Sequence, residues 1–301
     1  VAATQTGRWV WLLAARPKTL PASLAPVLVG SSLALGRGRF DPAAFFAALF
    51  GALFIQVGTN LANDYSDARR GADNEERIGP LRVTAGGLVP PGRVLLAANI
   101  AFLLAVLCGV YLIVKAGLLL LAVGGASIAA GFLYTGGPRP YGYVGLGELF
   151  VFLFFGLVAV VGSWYVQVQT FPWAAFAVAI PVGLLAAALL VVNNYRDIES
   201  DRRVGKLTLA VRLGRRRTKL LYVSLIALAY LLLPLALIGG RLNGWIFLAY
   251  LSLPLALPPI RTLLTRLDGP SLNRALAQTA SLQLAFCLLL SVGVIAGGGL
   301  R

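Results

Sequence analysis

The chain has 301 residues, of which 58% are hydrophobic and only 12% charged, and its mean hydropathy is +0.83. These values exclude an ordinary soluble domain and indicate an integral membrane protein. The net charge of +15 would suggest nucleic acid in a soluble chain, but here the cations fall between apolar runs, where they act as topology signals, so nucleic-acid binding is excluded.

In chain order, the opening stretch carries Trp9 and Trp11 beside Arg8. Arg16 and Lys18 interrupt it too early for a signal peptide, so residues 8–18 read as an interfacial segment at the headgroups. Nine apolar runs follow, near 19–36, 42–66, 92–114, 116–135, 144–166, 171–195, 217–239, 243–262 and 272–299. A membrane crossing needs about 20 apolar residues, so nine spans fill the chain and leave no room for a separate soluble domain. The expectation is an all-α membrane protein of one domain, 1–301, with cap loops over 67–91 and 196–216.

Nine spans place the two ends of the chain on opposite sides of the membrane. Of the 26 Lys and Arg residues, all but Arg37, Arg39, Lys115, Arg241 and Arg301 then fall on the side of the N-terminal segment. The positive-inside rule assigns that side to the cytoplasm and the C-terminal end to the outside. Cys108 and Cys287 lie in apolar runs, and the chain has no histidine. Thiolate or imidazole metal sites and a disulfide framework therefore have no support.

All but Asp41, Glu148 and Asp268 of the eleven acids gather in two stretches on the cytoplasmic side, "NDYSDARRGADNEE" (63–76) and "NNYRDIESDRRVGK" (193–206). The two resemble each other. Asn60 precedes Asp64 by four residues as Asn193 precedes Asp197, and Gly71 follows Asp67 as Gly205 follows Asp201, with two arginines in each interval. This is the signature of a degenerate internal repeat. On a helix, Asp64 lines up with Asp67 and Asp197 with Asp201, with the asparagines one turn deeper.

Closely spaced carboxylates beside a low-dielectric interior repel, and a divalent cation resolves the repulsion. An all-oxygen donor set favours magnesium, which commonly bridges carboxylates to substrate phosphates. Asp64, Asp67, Asp197 and Asp201, with Asp73 less firmly placed, are the candidate ligands. Glu75, Glu76 and Glu199 read as ordinary partners of neighbouring arginines. Arg77, Arg82, Arg139, Arg196 and Lys206 supply cations for a phosphate ester or a leaving diphosphate. A metal and polyanion site at the surface with an apolar body behind it implies a lipid diphosphate. A cation-coupled transporter is the rival reading, but its ionisable groups would be expected near the bilayer midplane.

These stretches, with "ARPKTLPASLAPVLVG", "GPLRVTAGGL" and "YTGGPRPYGYVGLGELFVFLFFG", resemble the UbiA-type intramembrane prenyltransferases. The similarity runs from about Ala15 to Gly214. It is strongest to the branch that prenylates 1,4-dihydroxy-2-naphthoate in menaquinone biosynthesis in the prokaryotic plasma membrane. The broad family pattern places a third aspartate where Gly71 stands; here the acid is Asp73, an offset shared with the naphthoate branch.

The resemblance implies a helical bundle around a central cavity open sideways to lipid. It implies magnesium, as two ions bridging the diphosphate of a polyprenyl diphosphate, on Asp64, Asp67, Asp73, Asp197 and Asp201. Asn60, Asn63, Asn193, Arg77, Arg82 and Tyr134 are then expected around the substrate, with Arg139 and Lys206 stabilising charge. Lys18, together with Arg16, is a candidate for the acceptor's carboxylate, and Glu148 for a ring hydroxyl. Phe150, Phe152, Phe154 and Phe155 read as packing. Another aromatic acceptor, such as 4-hydroxybenzoate or homogentisate, is the alternative within the same chemistry.

Overall fold

The computed structural model of the chain describes residues 7–72 and 82–299, apart from the side chains of Arg8 and Lys18. Among these residues all regular structure is helical. The interfacial segment is α1, Arg8–Ala15. Val10 and Ala14, one turn apart, pack against Leu61, Ala62, Val83 and Val94, while Trp9, Trp11, Leu12 and Leu13 are exposed. That one-sided burial suits a helix lying on the bundle at the headgroup level. Arg16 ends it in the left-handed region, at φ 55°, and turns the chain into the first apolar helix.

The apolar runs become α2 (Pro21–Leu35), α3 (Pro42–Arg69), α4 (Pro91–Ala116), α5 (Leu119–Leu133), α6 (Gly147–Val168) and α7 (Trp173–Arg196). After the short α8 (Ile198–Arg203) come α9 (Leu209–Leu237), α10 (Gly244–Thr265) and α11 (Gly269–Ala296). Seven of these are long and apolar enough to cross a membrane. α2 and α5 have 15 residues each, about 22 Å at the helical rise, and so fall short of the hydrocarbon thickness. Starts are set by local chemistry. Asp41 caps α3 by accepting from Ala44 N at 3.1 Å, and Asp268 caps α11 by accepting from Ser271 N at 2.9 Å, each with a proline in the first turn.

α7 is the centre of the bundle. Its sequence is apolar all round, and 78% of its most hydrophobic window is buried, as expected of a helix with protein on every side. It packs against α9, α11 and the middle of α6. There Phe152–Val158 opens into a π-helical turn, a feature often found beside functional sites. Small residues let backbones meet. A Cβ on Gly156 would lie 2.6 Å from Gly183 Cα, and one on Gly30 would lie 2.1 Å from Val160 O. Residues facing outward, such as Val114, Leu118 and Leu231, are exposed and apolar, as a lipid-facing surface requires.

Two boundaries differ from the expected cap loops. α3 continues to Arg69, so Asp67 is on a helix rather than at the start of a loop. The second cap is largely helical, formed by α8 and the start of α9, with a break at Gly214, φ 70°. In both places helical turns cost little to add and run past the apolar segment until a residue with positive φ, Gly71 or Gly205, ends them.

Candidate active site

One cavity of about 470 Å³ runs inside the bundle. On α3 its lining extends from Asp67 to Ala48, roughly 28 Å at 1.5 Å per residue. At one end it is lined by Asp67, Arg82, Asn193, Asp197, Asp201 and Lys206; at the other by Ala48, Leu112, Leu120 and Val166. A charged head and an apolar bore of membrane depth are thus continuous. Below the apolar end, α3 and α4 are tied by the ion pair of Asp41 with Lys115.

On α3, Asp67 and Asp64 point to different partners. Asp67 is 1% exposed; its Oδ1 accepts from the Tyr143 hydroxyl at 2.9 Å, and its Oδ2 from Arg82 Nη2 at 2.9 Å, with Lys206 Nζ at 3.7 Å. Asp64 is equally buried, but Oδ2 accepts from Val83 N at 3.1 Å and Oδ1 from Thr84 N at 3.0 Å. Asp64, a candidate metal ligand from the sequence, ties down the 82–89 turn through these bonds and is absent from the cavity wall. Asn63 lines the cavity and accepts from the Thr135 hydroxyl at 2.8 Å. Asn60, one turn deeper, donates to Ala15 O at 2.9 Å and is reached by Gln56 Nε2 at 3.4 Å. It thereby anchors the chain beside Arg16, which also lines the cavity.

On the second stretch, Arg196 is 2% exposed and grips Asp197 with both arms of its guanidinium, at 2.7 and 2.6 Å. Its remaining N–H groups reach Asn193 Oδ1 at 2.9 Å and Asn273 Oδ1 of α11 at 2.8 Å. Asp201 lies 3.8 Å from Lys206, so Lys206 stands between the acids of the two stretches. Every described aspartate of the stretches that lines the cavity therefore faces a cation, as buried carboxylates must. The donors are all oxygens, which suits a hard divalent ion. Among the described residues no three carboxylates converge closely enough to form a preassembled metal site. The acids are held apart by cations that a metal would have to displace. Asp73 and Arg77 lie outside the described residues, as does the side chain of Lys18.

Between α5 and α6, Tyr134 lines the cavity. From it a file of rings descends the wall: Tyr134 to Tyr141 at 5.4 Å, Tyr141 to Phe150 at 4.0 Å, Phe150 to Phe154 at 6.1 Å. Phe155 also faces the bore, whereas Phe152 packs at Gly183 on α7. Glu148 is buried but stands outside the lining; Oε1 accepts from Asn194 at 2.9 Å, and Oε2 has no hydrogen-bond partner. Arg139 is exposed on the connection, also away from the lining.

Tyr143, Thr135 and Asn273, which hold Asp67, Asn63 and Arg196, do not stand out in the sequence. Each is distant in sequence from the group it holds, so spacing carries no signal for it. The only local hint is a polar-tipped aromatic, Tyr143, in a glycine-rich connection of an otherwise apolar chain.

The UbiA prenyltransferase family model matches residues 23–295. A 1,4-dihydroxy-2-naphthoate octaprenyltransferase of Escherichia coli (strain K12) is 41% identical, over 94% of this chain and 94% of that one. One from Mycobacterium tuberculosis is 45% identical over 73% of this chain and 75% of its own length. Among solved structures, the apo structure of a UbiA homologue from Aeropyrum pernix K1 superposes with a TM-score of 0.66 at 18% identity, covering 93% of this chain and 98% of that one. A UbiA homologue from Archaeoglobus fulgidus, bound to DMAPP and Mg2+, gives 0.57 at 16%, covering 94% and 99%. With a family match over most of its length and relatives of this similarity, the chain belongs to the UbiA prenyltransferase family.

Proposed function

We propose that the protein transfers a polyprenyl group from a polyprenyl diphosphate to 1,4-dihydroxy-2-naphthoate, releasing diphosphate and carbon dioxide, in menaquinone biosynthesis. The observation that carries this reading is a single cavity with acids and cations at one end and an apolar bore of membrane depth beyond. A lipid diphosphate has the same two halves. The naphthoate octaprenyltransferases at 34–45% identity support the acceptor, and the bound Mg2+ of the Archaeoglobus homologue supports the metal.

Asp67, Asp197 and Asp201, flanked by Asn63 and Asn193, are the residues to hold two magnesium ions, one for each stretch. Magnesium supplies neutralisation of the diphosphate and eases its departure. Arg82 and Lys206, resting on Asp67, are placed to transfer to the phosphate oxygens and bind the leaving group. The faces of Tyr141, Phe150 and Phe154 line the path of the allylic carbon and favour positive charge there. Arg16, with Thr19, Gln56 and Asn60 around the same cavity, offers a cation and amides to the acceptor's carboxylate and hydroxyls. As the C–O bond to diphosphate breaks, a C–C bond forms to the electron-rich ring. Loss of the carboxylate as carbon dioxide restores aromaticity and leaves demethylmenaquinol. The cationic bias supports a cytoplasmic aspartate end.

The test is turnover by purified protein with geranylgeranyl diphosphate and 1,4-dihydroxy-2-naphthoate, with magnesium or with chelator. Magnesium-dependent prenylated product with one carbon dioxide per product is expected. Product from 4-hydroxybenzoate but none from naphthoate would overturn the acceptor and leave the diphosphate site standing.

A further inference from the structure

Tyr143 lies in the single turn Tyr141–Val144 between α5 and α6. Its hydroxyl donates to Asp67 Oδ1 at 2.9 Å. Its ring has Lys206 Nζ at 5.3 Å and Arg70 Cζ at 5.5 Å from the centroid. Its carbonyl accepts from Leu207 N at 3.1 Å. One residue thus touches the first acidic stretch through its hydroxyl, the residue that follows the second through its backbone, and a cation of each stretch through its ring.

We infer that Tyr143 is a positioning residue for the transfer reaction, one that keeps Asp67 open to metal and Lys206 within reach of the diphosphate. The inference rests on the cavity's charged end being the diphosphate site. Two arrangements within the molecule show why a phenol matters there. Asp197 is gripped through both oxygens by Arg196, the strongest form of carboxylate pairing. Asp67 also has a buried arginine beside it, but here Arg82 donates to Oδ2 and the phenol donates to Oδ1. Removing the hydroxyl frees Oδ1 for a two-armed grip by Arg82, which a metal would then have to break. The ring holds the second partner. Lys206 stands 3.7 Å from Asp67 and 3.8 Å from Asp201, and attraction to the π face keeps it centred rather than committed to either acid.

The experiment measures binding of the unreactive geranylgeranyl thiolodiphosphate across a magnesium titration, and kcat and KM for both substrates, on the full chain and on Tyr143→Phe and Tyr143→Leu. Tyr143→Phe is expected to raise the half-saturating magnesium concentration about tenfold, the weight of a hydrogen bond to a charged group. The KM for the diphosphate should rise with it while the acceptor's KM stays within about twofold. Tyr143→Leu, which also removes the ring's hold on Lys206, is expected to raise it about thirtyfold. If that variant does not fold, the near-isosteric Tyr143→Phe decides. Wild-type magnesium dependence in the variants, or an equal fall in every constant together with thermal stability, would overturn the role of Tyr143. Failure of the wild-type chain to bind the thiolodiphosphate with magnesium would instead overturn the diphosphate site itself.

Discussion

Asp64 and Asp67 are three residues apart on α3, close enough to share a helix face, and their neighbours separate them. Both oxygens of Asp64 are on the N–H groups of Val83 and Thr84, while Asp67 opens onto the cavity. Asp64→Ala should therefore act on stability, leaving two buried N–H groups unpaired at a cost of about 1–3 kcal/mol each. The expected readout is a lower thermal midpoint in detergent. Asp67→Asn should also lower the midpoint, because Arg82 loses its buried partner, but unlike Asp64→Ala it should in addition lower kcat by about a hundredfold or more, because it removes charge at the diphosphate end. A lost midpoint for Asp67→Asn with normal turnover would reverse the two assignments. The spacing of the acids was legible in the sequence, but which acid meets a backbone amide was not. That depends on where residues 82–84 return in space.

At the scale of elements, the contact of α6 with α7 is set by small residues. Gly156 and Gly183 meet backbone to backbone, and a side chain at Gly183 would collide with Phe152 O at 2.8 Å. Gly183→Val should push the two helices apart at a cost of about 1–3 kcal/mol, seen as a lower thermal midpoint. Because Phe154 and Phe155 of α6 line the bore, the same substitution should lower turnover at a temperature where the variant is still folded. The nine apolar runs were readable as helices because each is long, apolar and bounded by charge, proline or glycine. The π turn at Phe152–Val158 was not, since an extra residue in a helical turn leaves no mark on an all-apolar pattern. For the same reason the phenylalanines, read as packing, divide into Phe150, Phe154 and Phe155 at the cavity and Phe152 against α7.

For the whole molecule, the charge bias makes a prediction about sidedness. In a background with Cys108 and Cys287 replaced by alanine, Leu118→Cys, between α4 and α5, should react with a membrane-impermeant maleimide on intact cells. Thr265→Cys, at the end of α10, should react only after permeabilisation. The opposite pattern would put the aspartate end outside. The sequence by itself determined that the chain is a helical membrane protein, where its apolar segments run, and that most of its acids collect in two stretches among the cation-rich connections. Those features depend on hydrophobicity, helical spacing and local charge, all of which act over short distances along the chain. Only the tertiary structure decided that Asp67, Asp197, Asp201, Arg82 and Lys206 share one cavity while Asp64, Glu148 and Arg139 stand apart from it. It also brought Tyr143 and Asn273 to the two stretches they hold. Those outcomes come from helix packing and from hydrogen bonds between residues far apart in the chain, which no local pattern encodes.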